Sequence, residues 1–184
     1  MNVQGVWAGS GSDVVLTDIG LQQAEELARK FRSMNFTLYS SPLLRAVQTA
    51  KAIARGRLDF VVMQDLRECD FGDEEGVSLE ETKKRYGSEI IDSLLWPTDE
   101  TADLRFPNGE SKREVFERVD GCLGRIVAKH SFSWSKSTVC VVCHAGVLSA
   151  LQFGYKLTDV SFDNCAVLHL QYDTELHRFV QVFD

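Results

Sequence analysis

Thr138-Val139-Cys140-Val141-Val142-Cys143-His144-Ala145-Gly146-Val147 is an apolar, β-branched run that stops abruptly at a histidine. Residues 138–143 predict a buried parallel strand, and Val147-Leu-Ser-Ala-Leu-Gln-Phe153 behind them predicts a helix. A strand tip that hands His144 to a helix N-terminus joins an acid–base group to an anion site. The first-turn amides of such a helix are unpaired and carry the positive end of its dipole, so a phosphate or carboxylate settles beside the imidazole. The alternative for an isolated histidine is a strand cap bonded only to backbone.

Working outward, strands and helices alternate. Thr17-Asp18 precede a helix from Ile19 to Arg32, with Leu21, Ala24, Leu27, Ala28 and Phe31 at helical spacing. Phe36–Tyr39 reads as a strand, and Ser40-Ser41-Pro42 as the N-cap and first turn of a helix from Leu43 to Ala54. Asp59–Met63 is a second strand. Helices around Ser78–Tyr86 and Ser88–Leu95 fall in a lid over roughly residues 74–106, and Ser111–His130 is a long amphipathic helix. The chain ends in two strands, Ala166–Leu170 and Arg178–Val182, joined by a turn at Asp173-Thr-Glu175. This order predicts an α/β fold: three α/β/α layers, a mostly parallel sheet and a C-terminal antiparallel hairpin, in one domain over residues 1–184.

A net charge of −7 over 184 residues, with 26% of them charged, argues against a nucleic-acid surface. No apolar run approaches the length of a membrane span, and no basic-then-apolar leader is present, so the expected location is cytoplasmic. The five cysteines (69, 122, 140, 143 and 165) read as buried thiols of a reducing compartment. Cys140 and Cys143 form a CxxC, but on an extended strand they would face opposite sides, which argues against a redox pair. Gly9-Ser-Gly11 lacks the preceding strand and the spacing of a dinucleotide loop.

Ligands of such sheets bind beyond the carboxyl ends of the strands. There the chain places Ser40, Ser41 and Arg45, then Glu68, then His144 with the amides of Ala145 and Gly146. Cations, a helix N-terminus and a carboxylate in one cleft suit phosphoryl transfer: the cations stabilise the equatorial oxygens, and Glu or His moves the proton of the leaving group. Taken singly, Arg45 would be a surface ion pair and Glu68 part of a solvated acidic loop.

Five ordered motifs then carry a resemblance. They are Leu16-Thr17-x-x-Gly20-x-x-Gln23-Ala24; Ser40-Ser41-Pro42-Leu43-x-Arg45-Ala46-x-Gln48-Thr49-Ala50; Leu66-x-Glu68-x-x-Phe71-Gly72-x-x-Glu75-Gly76; Pro107-x-Gly109-Glu110-Ser111; and Val142-x-His144-x-Gly146-Val147. Together they closely resemble the histidine phosphatase family, also called phosphoglycerate mutase-like. The resemblance implies a phosphomonoesterase, less readily a mutase, that needs no metal and no cofactor and acts on a small phosphorylated metabolite through a phosphohistidine. It implies that Arg45 and Asn2 hold the phosphate with the amides of Ala145 and Gly146, that Glu68 is the general acid–base, and that His144 is the second, phosphate-stabilising histidine. Trp96, Arg105 or the Lys83-Lys84-Arg85 cluster of the lid would meet the substrate, or else form a packed Trp and a solvated face.

One part of the family pattern is not found in these residues. The resemblance implies a first strand ending in Arg-His-Gly, whose histidine is the nucleophile, and its place would fall before Met1. His130, His169 and His177 lie on other elements. An alternative puts Trp7-Ala8-Gly9 in the Arg-His-Gly position and makes the chain a non-catalytic phosphate-binding protein. An interior strand leaves two open edges when absent. Three arrangements follow: Met1 is an internal residue of a longer protein, residues 3–8 enter the slot, or another chain fills it, as in a homodimer.

Overall fold

The computed structural model describes residues 5–56, 59–130 and 138–183. In chain order the elements are α1 (Asp18–Lys30), β1 (Thr37–Ser40), α2 (Leu44–Ala54), β2 (Phe60–Val62), α3 (Leu79–Tyr86), α4 (Ser88–Leu95), α5 (Lys112–His130), β3 (Val139–Val142), α6 (Ala145–Tyr155), β4 (Leu170–Asp173) and β5 (Arg178–Gln181). Three of the strands form a parallel sheet in the order β2-β1-β3, while β4 and β5 make a separate antiparallel hairpin.

Strand alternation builds the layers. Leu38, Cys140 and Val142 point to one face and pack with Leu27 and Ala28 of α1 and Ala50, Ile53 and Ala54 of α2. Tyr39, Val139 and Val141 point to the other face, against Val115, Val119, Cys122, Leu123 and Ile126 of α5 and Val147, Ala150 and Leu151 of α6. The two cysteines of the CxxC separate as strand geometry requires, Cys140 joining the first cluster and Cys143 the second. All five thiols are free.

A third cluster lies outside the sheet. Trp7, Ile91 and Phe106 are buried together, with Phe71, Leu79, Tyr86, Leu94 and Leu95 around them. The Trp7 ring lies 4.7 Å from Phe71 and 5.4 Å from Phe106. Trp7 Nε1 donates to Thr82 Oγ1 at 3.0 Å, and the fully buried Glu74 carboxylate receives Tyr86 Oη at 3.0 Å and an ion pair from Arg85. Residues 5–7 therefore belong to the helical excursion of α3 and α4: Val6 bridges Ser78, and Trp7 N donates to Val77 O at 2.9 Å. Residues 5–8 do not enter the sheet, which corrects the arrangement in which residues 3–8 fill a strand position as far as it falls on the described residues; residues 3 and 4 lie outside them. Burial of the indole among Phe71, Tyr86 and Phe106 favours this placement.

Several expected boundaries move for physical reasons. Strand β3 is only half-buried along its whole length, because β1 is its one neighbour among the described residues. Helix α2 begins at Leu44 with no side-chain cap from Ser40 or Ser41; Asp13 Oδ1 instead accepts from Leu44 N at 2.6 Å. In the C-terminal hairpin the first strand is Leu170–Asp173, not 166–170. Asp173 Oδ1 accepts from Glu175 N (2.8 Å) and Leu176 N (2.9 Å), and this turn sets Asp173 opposite Arg178. No described helix is long and apolar enough to cross a membrane.

Candidate active site

Parallel register brings the site together. Ser40 pairs with Val142, so the residues just after both strands meet at one end of the sheet. Ser41 N donates to Val142 O at 2.9 Å, and Ser41 Oγ stands 2.7 Å from His144 Nε2. The backbone then turns at His144 (φ −137°, ψ 167°) straight into α6, so Ala145 and Gly146 are the first two residues of a helix whose amides face the cleft end.

Glu68 reaches this helix N-terminus. Its carboxylate is buried, accepting from Gly146 N at 3.2 Å and from Cys69 N at 2.8 Å. The Gly146 amide, expected to hold phosphate, is thus engaged by Glu68 in this structure. Gly146 is required there by proximity: a Cβ at that position would stand 2.2 Å from Glu68 Oε1.

Arg45, the second residue of α2, is half-buried. Its Nη1 donates to Ser12 O (2.6 Å) and its Nη2 to Ala8 O and Gly9 O (both 3.1 Å). These are neutral acceptors, and among the described residues no carboxylate forms an ion pair with Arg45. Three of five N–H donors are used, which leaves two for a ligand. Burial lowers the guanidinium's pKa, partly offset by Glu68, Asp13 and Glu75.

His144 is buried and neutral. Burial first, then the charges of Arg45 and Arg118, lower its pKa from 6.5 to about 3. The unfolded chain takes up this proton below about pH 6.5 and the folded chain only near pH 3, so stability falls as pH drops through that window and is unaffected above it. From pH 7 to 4.5 this group alone costs about 2–3 kcal/mol. Urea titrations at the two pH values check this: His144→Gln should lose that share of the pH dependence, and an equal loss in both proteins would refute it.

The other expected site residues lie elsewhere or outside the described set. Asn2 lies outside the described residues. Trp96 is exposed and stacks edge-on against Phe162 at 4.8 Å, while Arg105 pairs with Glu114 at 2.7 Å on the surface. Lys84 pairs with Glu80 and Arg85 with Glu74. Trp7-Ala8-Gly9 sits on no strand, although the carbonyls of Ala8 and Gly9 meet Arg45. His130 Nε2 lies 3.1 Å from Tyr39 Oη, His169 follows no strand tip, and His177 is in the hairpin turn. His144 is thus the one described histidine in the cleft.

Supporting contacts escaped the sequence reading. Glu75 gathers the 9–12 loop, accepting from Gly9 N (2.9 Å), Gly11 N (3.3 Å) and Ser12 Oγ (2.8 Å). Gln48 Oε1 accepts from Leu16 N at 2.7 Å, tying the first motif to the second. Gly109 lies where a Cβ would meet Asp70 O at 2.8 Å, so the third and fourth motifs cross in backbone contact. The motif spacing hinted at these joins, but the partners are too far apart in sequence for any periodicity to reveal them.

Residues 1–184 match the histidine phosphatase superfamily (branch 1). An uncharacterized phosphatase, PhoE, of Bacillus subtilis (strain 168) is 32% identical over 152 residues, 82% of this chain and 66% of its own length. Phosphoserine phosphatase 1 of Hydrogenobacter thermophilus is 32% identical over 151 residues, 81% of this chain and 68% of its own. The chain thus spans about two thirds of the length of these relatives. The crystal structure of a phosphoglycerate mutase from Bacillus anthracis superposes with a TM-score of 0.83 over 98% of this chain and 86% of the other; at 21% identity this shows the shared fold.

Proposed function

The chain belongs to the histidine phosphatase superfamily, and from that premise we propose that it serves phosphomonoester hydrolysis on a small phosphorylated metabolite, with Arg45, His144 and the amides of α6 as the phosphate cradle. The observation that carries the reading is the half-buried Arg45, held by three carbonyls and paired with no carboxylate among the described residues, beside a helix N-terminus. A cation so placed lacks only its anion. Relatives named as phosphatases support the reaction class.

The chemistry follows from the positions. An imidazole nitrogen attacks phosphorus, forming an N–P bond as the ester P–O bond breaks, and Glu68 in its protonated form gives its proton to the departing oxygen. Water then attacks the phosphohistidine, Glu68 takes a proton from it, and inorganic phosphate leaves. Arg45 and His144 stabilise the charge on the transferring group. The family resemblance implies that the attacking imidazole belongs to an Arg-His-Gly strand, which the described residues do not contain. Vacancy of the cleft by every described histidine but His144 favours a second reading, phosphate binding without turnover.

Calorimetric titration with inorganic phosphate and with orthovanadate tests the cradle. A phosphate dianion beside His144 favours the imidazolium, so binding should take up protons at about pH 5–6, seen as a heat that depends on the buffer's ionisation enthalpy. Absence of binding at millimolar anion would sink both readings. Adding a strand with Arg-His-Gly ahead of Met1 then decides between them: p-nitrophenyl phosphate hydrolysis that appears supports the esterase, and binding still without hydrolysis supports the second.

A further inference from the structure

Arg118, in the middle of α5, belongs to none of the residues assigned above, yet it spends three N–H donors on carbonyls of the segment that carries Glu68 and its other two on Glu110. Its Nε donates to Glu110 Oε1 (2.9 Å). Nη1 donates to the carbonyls of Asp65 (2.7 Å) and Arg67 (3.0 Å). Nη2 donates to the carbonyl of Glu68 (3.1 Å) and to Glu110 Oε2 (2.9 Å). Five bonds use the five N–H groups of a guanidinium. Glu110 completes the frame: Oε2 accepts from Asp70 N (3.0 Å), Oε1 pairs with Arg67 (2.6 Å), and Glu110 N donates to Asp70 O (2.8 Å).

Residues 65–70 have little regular structure of their own. One short 3-10 turn, Gln64–Leu66, precedes Glu68, and no ladder holds the chain after it. The direction of the Glu68 side chain is therefore set from outside. We infer that the Arg118–Glu110 pair is a positioning device that holds the Glu68 carboxylate at the N-terminus of α6. The inference rests on the proposed role of Glu68 for its catalytic meaning, but its geometry does not. Lysine at position 118 keeps the charge and supplies three rotatable donors in place of a planar five-donor fork, so it cannot hold three carbonyls and a bidentate carboxylate together.

The amide of Gly146 reads the position of Glu68 directly, through its 3.2 Å hydrogen bond. In the unliganded protein the Gly146 amide-proton NMR shift at neutral pH should report that hydrogen bond, and Glu68→Ala should move it upfield and so assign it. Arg118→Lys and Glu110→Gln should move it in the same direction by a comparable amount, with the dispersed spectrum of a folded protein retained. Glu110→Gln, equal in shape to the native side chain, decides the matter if Arg118→Lys does not fold. Arg113→Ala, which breaks a surface pair with Asp103, should leave the shift as it is. A folded variant with the wild-type Gly146 shift would show that the pair merely stabilises the loop, and would overturn the inference. The readout needs no turnover, so failure of the phosphatase reading and failure of this one are separable. In a protein that turns over phosphoester, the same variants should lower kcat by about 100-fold, the cost of a misplacement near 1 Å, with KM little changed.

Discussion

Replacing Arg45 with methionine lowers the affinity for inorganic phosphate and vanadate by about 100- to 1,000-fold, the largest effect expected of any single substitution in the site. Two N–H donors of Arg45 have no acceptor among the described residues, and charge-assisted hydrogen bonds contribute about 1.5–3 kcal/mol each. Methionine keeps most of the apolar stem, so the packing of α2 survives. The 8–12 loop loses three bonds to the guanidinium but keeps its contacts with Glu75 and the cap that Asp13 gives α2. Thermal unfolding should therefore move little while binding collapses. Phosphate affinity within about threefold of the wild type would remove Arg45 from the cradle, and with it the observation on which the proposed function stands. An equal loss in a surface control such as Arg113→Ala would show the effect to be one of net charge.

Gly146→Ala is expected to damage both fold and site, against the direction that helix propensity gives. Alanine at the second position of α6 should favour the helix by up to about 1 kcal/mol. The new methyl group, however, stands 2.2 Å from Glu68 Oε1, 3.1 Å from its Cδ and 3.2 Å from Cys69 Cβ. Glu68 is buried and its segment is clamped by Arg118, so the carboxylate cannot simply swing into water. Overpacking of this kind costs about 1–3 kcal/mol, and the displaced carboxylate also loses the Gly146 amide. The net loss is about 1–3 kcal/mol, a fall in Tm of about 2–10 °C for a domain of this size. Calorimetry and the NMR shift of the amide at position 146 at neutral pH measure the two effects together. A Tm that rises with that amide still hydrogen-bonded would mean that the close approach relaxes freely and that glycine is not demanded there.

The identity of most elements was legible because it is written in short-range pattern. Apolar spacing marked α1 and α5, and the β-branched run with its terminal histidine marked β3 and α6. The three residues Arg45, Glu68 and His144 were identifiable from their place after strands. Their electrostatic coupling through the buried cleft accords with that placement, since Arg45 lowers the His144 pKa and Glu68 acts on Arg45. Taken alone, the acidic run from Glu68 to Glu75 suggests a solvated loop. Glu68 and Glu74 are instead buried, Glu68 against the Gly146 amide of α6 and Glu74 against Thr82, Arg85 and Tyr86 of α3.

The sequence by itself therefore determined the layer order, the parallel sense of the sheet and the residue types gathered at its carboxyl end. Those follow from periodicities of a few residues and from the rule that helices cover both faces of a parallel sheet. Only the tertiary structure decided that Trp7 joins the helical excursion rather than the sheet, that Glu75 gathers the 9–12 loop, and that Arg118 aims Glu68. Each of these depends on which of several chemically equivalent partners lies within hydrogen-bond reach once the chain is packed. Residues 50 or more apart meet through the summed geometry of every element between them, and no local pattern carries that distance.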